Sequence, residues 1–287
     1  MLTIVLGLST ALVYGFADFF GALGSRRLRP ILVTALAAFG GMSFLGFAVI
    51  FLGYTATFDS NTWLWGIIGG IFSAIGLSSL YRALAEGPIA ILSPLSAVIS
   101  AIVPAVIGIL QGESFAWYGW LAIALILFAV VLVGFVPGAD VRMPSASGLF
   151  FGVMAGLGIG VVLIAFHEVK PEAGLGAVII LRAINGLVLV GTALVLILSK
   201  KASLNEFRIR DAKFWIIVLA AGVCDAVANV LFTTAVHLGS FTVISVLTAL
   251  YPTGTILLAL LVLKEKVAVS QLVGIGLALG ACVLLAI

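Results

Sequence analysis

The sequence predicts an all-α integral membrane protein with ten transmembrane helices, arranged as two inverted five-helix repeats. Three observations lead there. Of the 287 residues, 63% are hydrophobic and 9% charged, against about 45–50% apolar and about 25% charged in an ordinary soluble domain. Mean hydropathy is +1.36, so the chain cannot cover its surface with polar groups, and lipid must meet much of it. The apolar residues also fall into ten runs, and one stretch recurs at corresponding places in the two halves of the chain.

A helix crosses the hydrocarbon core with about 20 mostly apolar residues. Each span is bounded where charge, Gly/Pro or Asn/Asp interrupts a run. The first covers 2–23; its N-terminus lacks both a basic segment and a small-residue cleavage site, so it reads as a retained span. It stops before Arg26, Arg27 and Arg29, and the second covers 30–52. The third, 62–85, follows Asp59 and Asn61 and ends at Arg82 and Glu86. Gly87-Pro88 separates it from the fourth, 89–110, because Pro fits a first helical turn and disfavours helix at the residue before it. The fifth covers 117–136, the sixth 147–166 and the seventh 175–198. After the long connection 199–213, the eighth covers 213–236, the ninth 241–262 and the tenth 268–286. Trp63, Trp65, Trp117 and Trp120 gather at span starts on one side, where aromatic residues anchor helices in the interface.

Orientation follows from Lys and Arg. Of the 14 such residues, Lys170 alone lies in a connection after an even-numbered span and Arg182 lies inside a span; the others fall at or after odd-numbered spans. The basic loops are therefore expected in the cytoplasm and both termini outside, in the plasma membrane. The net charge of +3 then reflects topology, and nucleic acid is not expected as a partner. Cys224 and Cys282 lie in apolar runs and form neither a disulfide framework nor a metal-ligand spacing. No metal and no cofactor is expected.

The repeat emerges when the chain is shifted by 152 residues. "ALAEGPIAILSPLSAV" (83–98) then lies over "AVHLGSFTVISVLTAL" (235–250), matching Gly87 with Gly239, Ser93 with Ser245, Leu95 with Leu247 and Ala97 with Ala249. Glu113 falls over Glu265. At a different shift Gly7 falls near Gly152 and Gly15 near Gly160. The boundary places one repeat at 1–140 and the other at 141–287. Five spans is an odd number, so the halves run oppositely through the bilayer, an arrangement common in secondary transporters with a midplane site. Ser240 is placed to cap the ninth span. Ser93-Pro94 sits inside the fourth, where the missing amide proton frees a carbonyl toward a cavity or a serine; Ser93 is thus a lining candidate, with simple packing at the proline as the alternative.

These residues resemble the drug/metabolite transporter superfamily, in its EamA-type branch. The resemblance rests on "YRALAEGPIAILSPLSAVISAIVP…GES", its echo "FTTAVHLGSFTVISVLTALYP…LKEK", the "YGFADFFGALGSRR" first span and the Gly-rich last one. It covers nearly the whole chain. It implies a secondary transporter that exports a small metabolite, amino acids among the candidates, by alternating access. Proton coupling is one option; an uncoupled facilitator or exchanger is the alternative, and a membrane receptor or scaffold is the reading outside transport.

Ionisable groups at depth cost roughly 2.5–3.5 kcal/mol on insertion scales and each needs a reason. Asp225 is near the centre of the eighth span, about 18 Å from either end at about 1.5 Å per residue, too deep to snorkel. It is expected to bind a proton or a cationic group in a cavity, or else to tie helices together. Asn229 lies one turn on, on the same face. Arg182, with Asn185 on its side of the seventh span, suits a carboxylate or phosphate, unless it snorkels to the headgroups. Thr248, Tyr251 and Thr255 share a face of the ninth span as lining candidates, and Tyr14 in the first is another. Asp18 and Arg82 form a candidate inner gate or a static helix tie. His167, His237, Glu113 and Glu265 lie near span ends, where solvated or capping roles are expected.

Several functions are excluded. There is no P-loop, so this chain does not hydrolyse ATP. No G-x-S-x-G, H-E-x-x-H or paired intramembrane aspartates are present, so enzyme chemistry is not expected. The expected partners are a small-molecule substrate and the lipid bilayer. Internal doubling removes the need for a dimer, so a functional monomer is expected.

Overall fold

The computed structural model describes residues 2–25, 27–86, 89–134, 144–199, 211–258, 261–262 and 268–286. The described elements are α1 (Leu2–Ser25), α2 (Pro30–Phe51), α3 (Ser60–Glu86), α4 (Ile89–Leu110), α5 (Trp117–Gly134), α6 (Ala146–Glu168), α7 (Gly176–Leu198), α8 (Ala212–Val236), α9 (Phe241–Thr248), α10 (Tyr251–Leu258) and α11 (Val269–Ala286). A single turn of 3₁₀ helix, Pro171–Ala173, lies between α6 and α7. Six of these helices are long and apolar enough to cross a membrane, and four shorter apolar segments accompany them.

Among the described residues the ninth expected span is broken. α9 ends at Thr248 and α10 begins at Tyr251. Pro252 has no N–H to return to the Thr248 carbonyl, and it disfavours helix at Tyr251. The chain turns there through tighter bonds, Leu250 N–H to the Leu247 carbonyl at 3.1 Å and Thr253 N–H to the Leu250 carbonyl at 2.9 Å. Thr248 and Tyr251 therefore flank a break instead of sharing one continuous helix face. α4 carries two prolines, Pro94 and Pro104, yet continues as one helix.

Helix starts are capped by side chains. Ser145 accepts from Gly148 N–H at 2.9 Å, Asp211 from Lys213 N–H at 3.0 Å, and Ser240 from Val243 N–H at 3.2 Å. α9 has a second cap from far along the chain. The Glu113 carboxylate accepts from Phe241 N–H at 2.7 Å and Thr242 N–H at 2.9 Å, where the helix dipole favours negative charge. Glu265, its counterpart in the repeat, lies outside the described residues.

The helices pack in pairs that exchange when each is replaced by the one five spans away. α1 lies on α8 as α6 lies on α3, and α2 on α8 as α7 on α3. α1 also lies on the α9–α10 span as α6 lies on α4, while α2–α7 and α5–α11 exchange with themselves. The glycines repeat the pattern: a Cβ on Gly7 would stand 3.0 Å from Leu247, and one on Gly152 would stand 3.3 Å from Leu95. Small residues set these separations, since they let backbones approach closely. At Gly222 any side chain would run into the Ala37 carbonyl of α2.

The α2–α3 and α6–α7 loops lock together at one end of the bundle. Thr57 N–H donates to the Ala173 carbonyl at 3.1 Å and Leu175 N–H to the Thr55 carbonyl at 2.9 Å. Gly174 between them has φ +55 and sits against Thr55, where a side chain would be both strained and obstructed.

Candidate functional site: a central cavity between the two halves

A cavity with an open mouth lies where helices from both halves cross. α1 contributes Tyr14 and Asp18, and α8 contributes Asp225 and Asn229. The break after α9 adds Thr248, Ala249 and Tyr251; α3 adds Ser73, Leu77 and Leu80; α4 adds Ser100; and α6 adds Ile159, Val162 and Leu163.

The polar groups form a connected wall. Tyr14 Oη donates to Asn229 Oδ1, joining α1 to α8. Arg182 of α7 reaches inward from behind and forms an ion pair with Asp225. The arginine is 3% exposed and the aspartate 21%, so Arg182 meets a carboxylate of its own chain rather than the headgroups. Asn185, also buried, donates from Nδ2 to Ser73 Oγ at 2.8 Å. Tyr251 Oη and Ser96 Oγ stand 3.5 Å apart. Thr248 is buried, and its Oγ1 has no hydrogen-bond partner among the described residues.

Most of the candidates named from sequence converge here. Tyr14, Asp225, Asn229, Thr248 and Tyr251 line the cavity, and Arg182 and Asn185 support its wall. Thr255 is not among the lining residues; its hydroxyl donates to the Gly15 carbonyl at 3.1 Å and fastens α10 to α1. Ser93 lies in α4, but its side chain is outside the described residues. The gate pair is not brought together: Asp18 faces the cavity, while the exposed Arg82 guanidinium stands 4.2 Å above the Phe151 ring. Ser73 and Ser100 were not singled out from sequence. The repeat carries a signal for Ser73, because the 152-residue shift lays it over Asp225 and Leu77 over Asn229.

The cavity is built on equivalent positions with unlike chemistry. The shift that brings Gly7 to Gly152 also brings Tyr14 to Ile159 and Asp18 to Leu163. All four of these residues line the cavity. The α1–α8 side is therefore polar and the facing α3–α6 side largely apolar.

At the end of the bundle that carries the interlocked loops, a second polar network ties α4, α6 and α9 together. Gln111 Nε2 donates to Glu168 Oε1 at 2.6 Å, His167 Nε2 lies 3.0 Å from Gln111 Oε1, and the His167 ring stacks on Phe241 at 4.0 Å. In the adjoining loop, the Thr62 hydroxyl beside Asp59 holds that carboxyl below the usual carboxylate range. At the opposite end Arg27 donates to Asp211 at 2.8 Å and holds that carboxyl low in the same way. Among the described residues no three His, Cys, Asp or Glu side chains group as metal ligands.

A solved structure, described only as the crystal structure of a protein, superposes with a TM-score of 0.76 at 18% identity, covering 99% of this chain and 98% of its own. That likeness shows a shared fold. No curated protein is matched by sequence. The model of the EamA-like transporter family matches residues 1–135 and 146–287. With nearly all of its length matched and its helices enclosing a cavity between the two halves, this chain belongs to the EamA-like transporter family.

Proposed function

We propose that the protein is a secondary carrier that exports a small metabolite, amino acids among the candidates, across the plasma membrane by alternating access. The central cavity carries this reading. It draws lining residues from helices of both halves and combines a polar wall with an apolar one. The exchange of helix pairs supports taking 1–140 and 141–287 as two inverted repeats that rock about this cavity. Asp18 and Asp225 are the acids through which a proton would be coupled. The carrier acts as a monomer, with both termini outside.

The test is uptake into liposomes holding the purified protein, using labelled amino acids with and without a pH gradient, for wild type and Asp225→Asn. Accumulation driven by the gradient supports a coupled carrier, and loss in the variant places coupling at Asp225. Flux indifferent to pH means a facilitator or exchanger. No flux of any amino acid from monodisperse protein contradicts the amino-acid reading.

A further inference from the structure

We propose that the cavity recognises the ammonium group of its ligand, held between the Asp18 carboxylate and Thr248 at the break after α9, with the ligand's apolar part against α3 and α6. This rests on the carrier reading above and names the chemistry of its substrate. The two cavity acids are not equivalent. Asp225 is already ion-paired with Arg182. Among the described residues, Asp18 has neither a hydrogen bond nor an ion pair, although it lines the same cavity. A carboxyl group set among helices away from water either keeps its proton or takes a counter-charge, and no Lys, Arg or His is among the described residues lining the cavity; the one cation behind its wall, Arg182, is paired with Asp225.

A second, independent observation concerns the same cavity. Thr248 is 4% exposed, lines the cavity, and its Oγ1 has no hydrogen-bond partner among the described residues. Its carbonyl ends α9 and receives no N–H from Pro252. The C-terminal end of a broken membrane helix carries partial negative charge and suits a cation. A carboxylate, a hydroxyl and a helix C-terminus all accept hydrogen bonds, and an ammonium group offers three donors and no acceptor. Tyr14 and Tyr251 line the same cavity.

The opposite wall argues for the remainder of the ligand. Ile159, Val162, Leu163 and Leu77 present hydrocarbon. A carboxylate on the ligand meets no equivalent partner, because Arg182 is engaged by Asp225. The amine end, not the acid end, is therefore what the site selects.

The experiment is equilibrium binding of radiolabelled phenethylamine to the purified full-length protein in detergent, with unlabelled phenethylamine or 3-phenylpropionate as competitor. Saturable amine binding is expected, with the acid competing at least about tenfold more weakly. Asp18→Asn should weaken amine binding by about tenfold or more, the loss of one charge-assisted hydrogen bond. Asp18→Glu keeps the charge and should retain binding. Absence of saturable amine binding to wild type overturns the inference, as does equal binding by Asp18→Asn or equal competition by the acid. Should Asp18→Asn not elute as monodisperse protein, the wild-type competition decides. Binding without flux in liposomes sinks the carrier reading and leaves this one standing, whereas amine flux indifferent to Asp18→Asn sinks this one alone.

Discussion

Replacing Asp225 by Leu leaves the Arg182 guanidinium buried without its carboxylate. The arginine is 3% exposed and the aspartate 21%, so solvent screens the pair weakly. Removing one partner of a buried pair costs about 3–5 kcal/mol, because the survivor's desolvation is no longer offset. Polar groups in membranes also find partners in the unfolded reference state, which argues for the lower end, about 3 kcal/mol. At about 2–4 °C per kcal/mol for a chain of this size, the melting point should fall on the order of 10 °C. Replacing both residues, Asp225→Leu with Arg182→Met, removes both desolvation costs and should restore most of that loss, since apolar substitutes of similar volume are often neutral. The assay is thermal unfolding in detergent, followed by size-exclusion of the surviving monodisperse protein, for wild type, each single variant and the double. A melting point for Asp225→Leu within about 2 °C of wild type would refute the reasoning. So would a double variant less stable than either single one.

Three further outcomes are expected. Gly222→Val places a side chain against the Ala37 carbonyl, so α8 must draw back from α2; a loss of about 1–3 kcal/mol or more is expected in the same melting assay. Glu113→Ala removes two charge-assisted bonds from the start of α9, with an expected loss of about 1.5–3 kcal/mol and faster hydrogen exchange at Phe241 and Thr242. Unchanged exchange there would mean that Ser240 alone suffices as the cap. The Asp211 carboxyl is held low by its bond to Arg27, so the sign of its contribution follows. Stability from this contact is present above the unfolded value of about 3.9 and is lost as pH falls through the lower folded value. Asp211→Asn should flatten that acid limb slightly, and an unchanged limb would show the contact to be inert.

The break in the ninth span illustrates how a local rule acquires a tertiary consequence. Pro252 and its missing N–H are visible in the sequence, and so is the hydroxyl of Thr248. Pro94 and Pro104 obey the same rule, yet α4 runs through both. What differs is the surroundings: the α9–α10 junction lies beside α1, with Gly15 and Gly254 in close approach. One acceptor of the proposed ammonium site, the Thr248 carbonyl, therefore arises from one proline in one packing context.

By itself the sequence determined the membrane class, the span positions to within a few residues at most ends, and most of the polar residues around the cavity. Those properties are sums along a short stretch of chain: twenty apolar residues, or one charged residue too deep to reach water, carry their meaning without neighbours. The pairing of side chains was decided by tertiary structure alone. Asp225 and Asp18 look alike in sequence, each a lone acid in an apolar run. Whether an acid is neutralised depends on which face of another helix it meets. α7 turns Arg182 toward Asp225, while the lining that Asp18 faces holds no Lys, Arg or His among the described residues. Arg82 was expected on the same side of the membrane as Asp18, which invited a pairing, but it stands over Phe151 instead. Helix rotation and crossing are set by where glycines let backbones meet, as at Gly222 and Ala37 or Gly7 and Leu247. That geometry belongs to pairs of helices and cannot be summed along one.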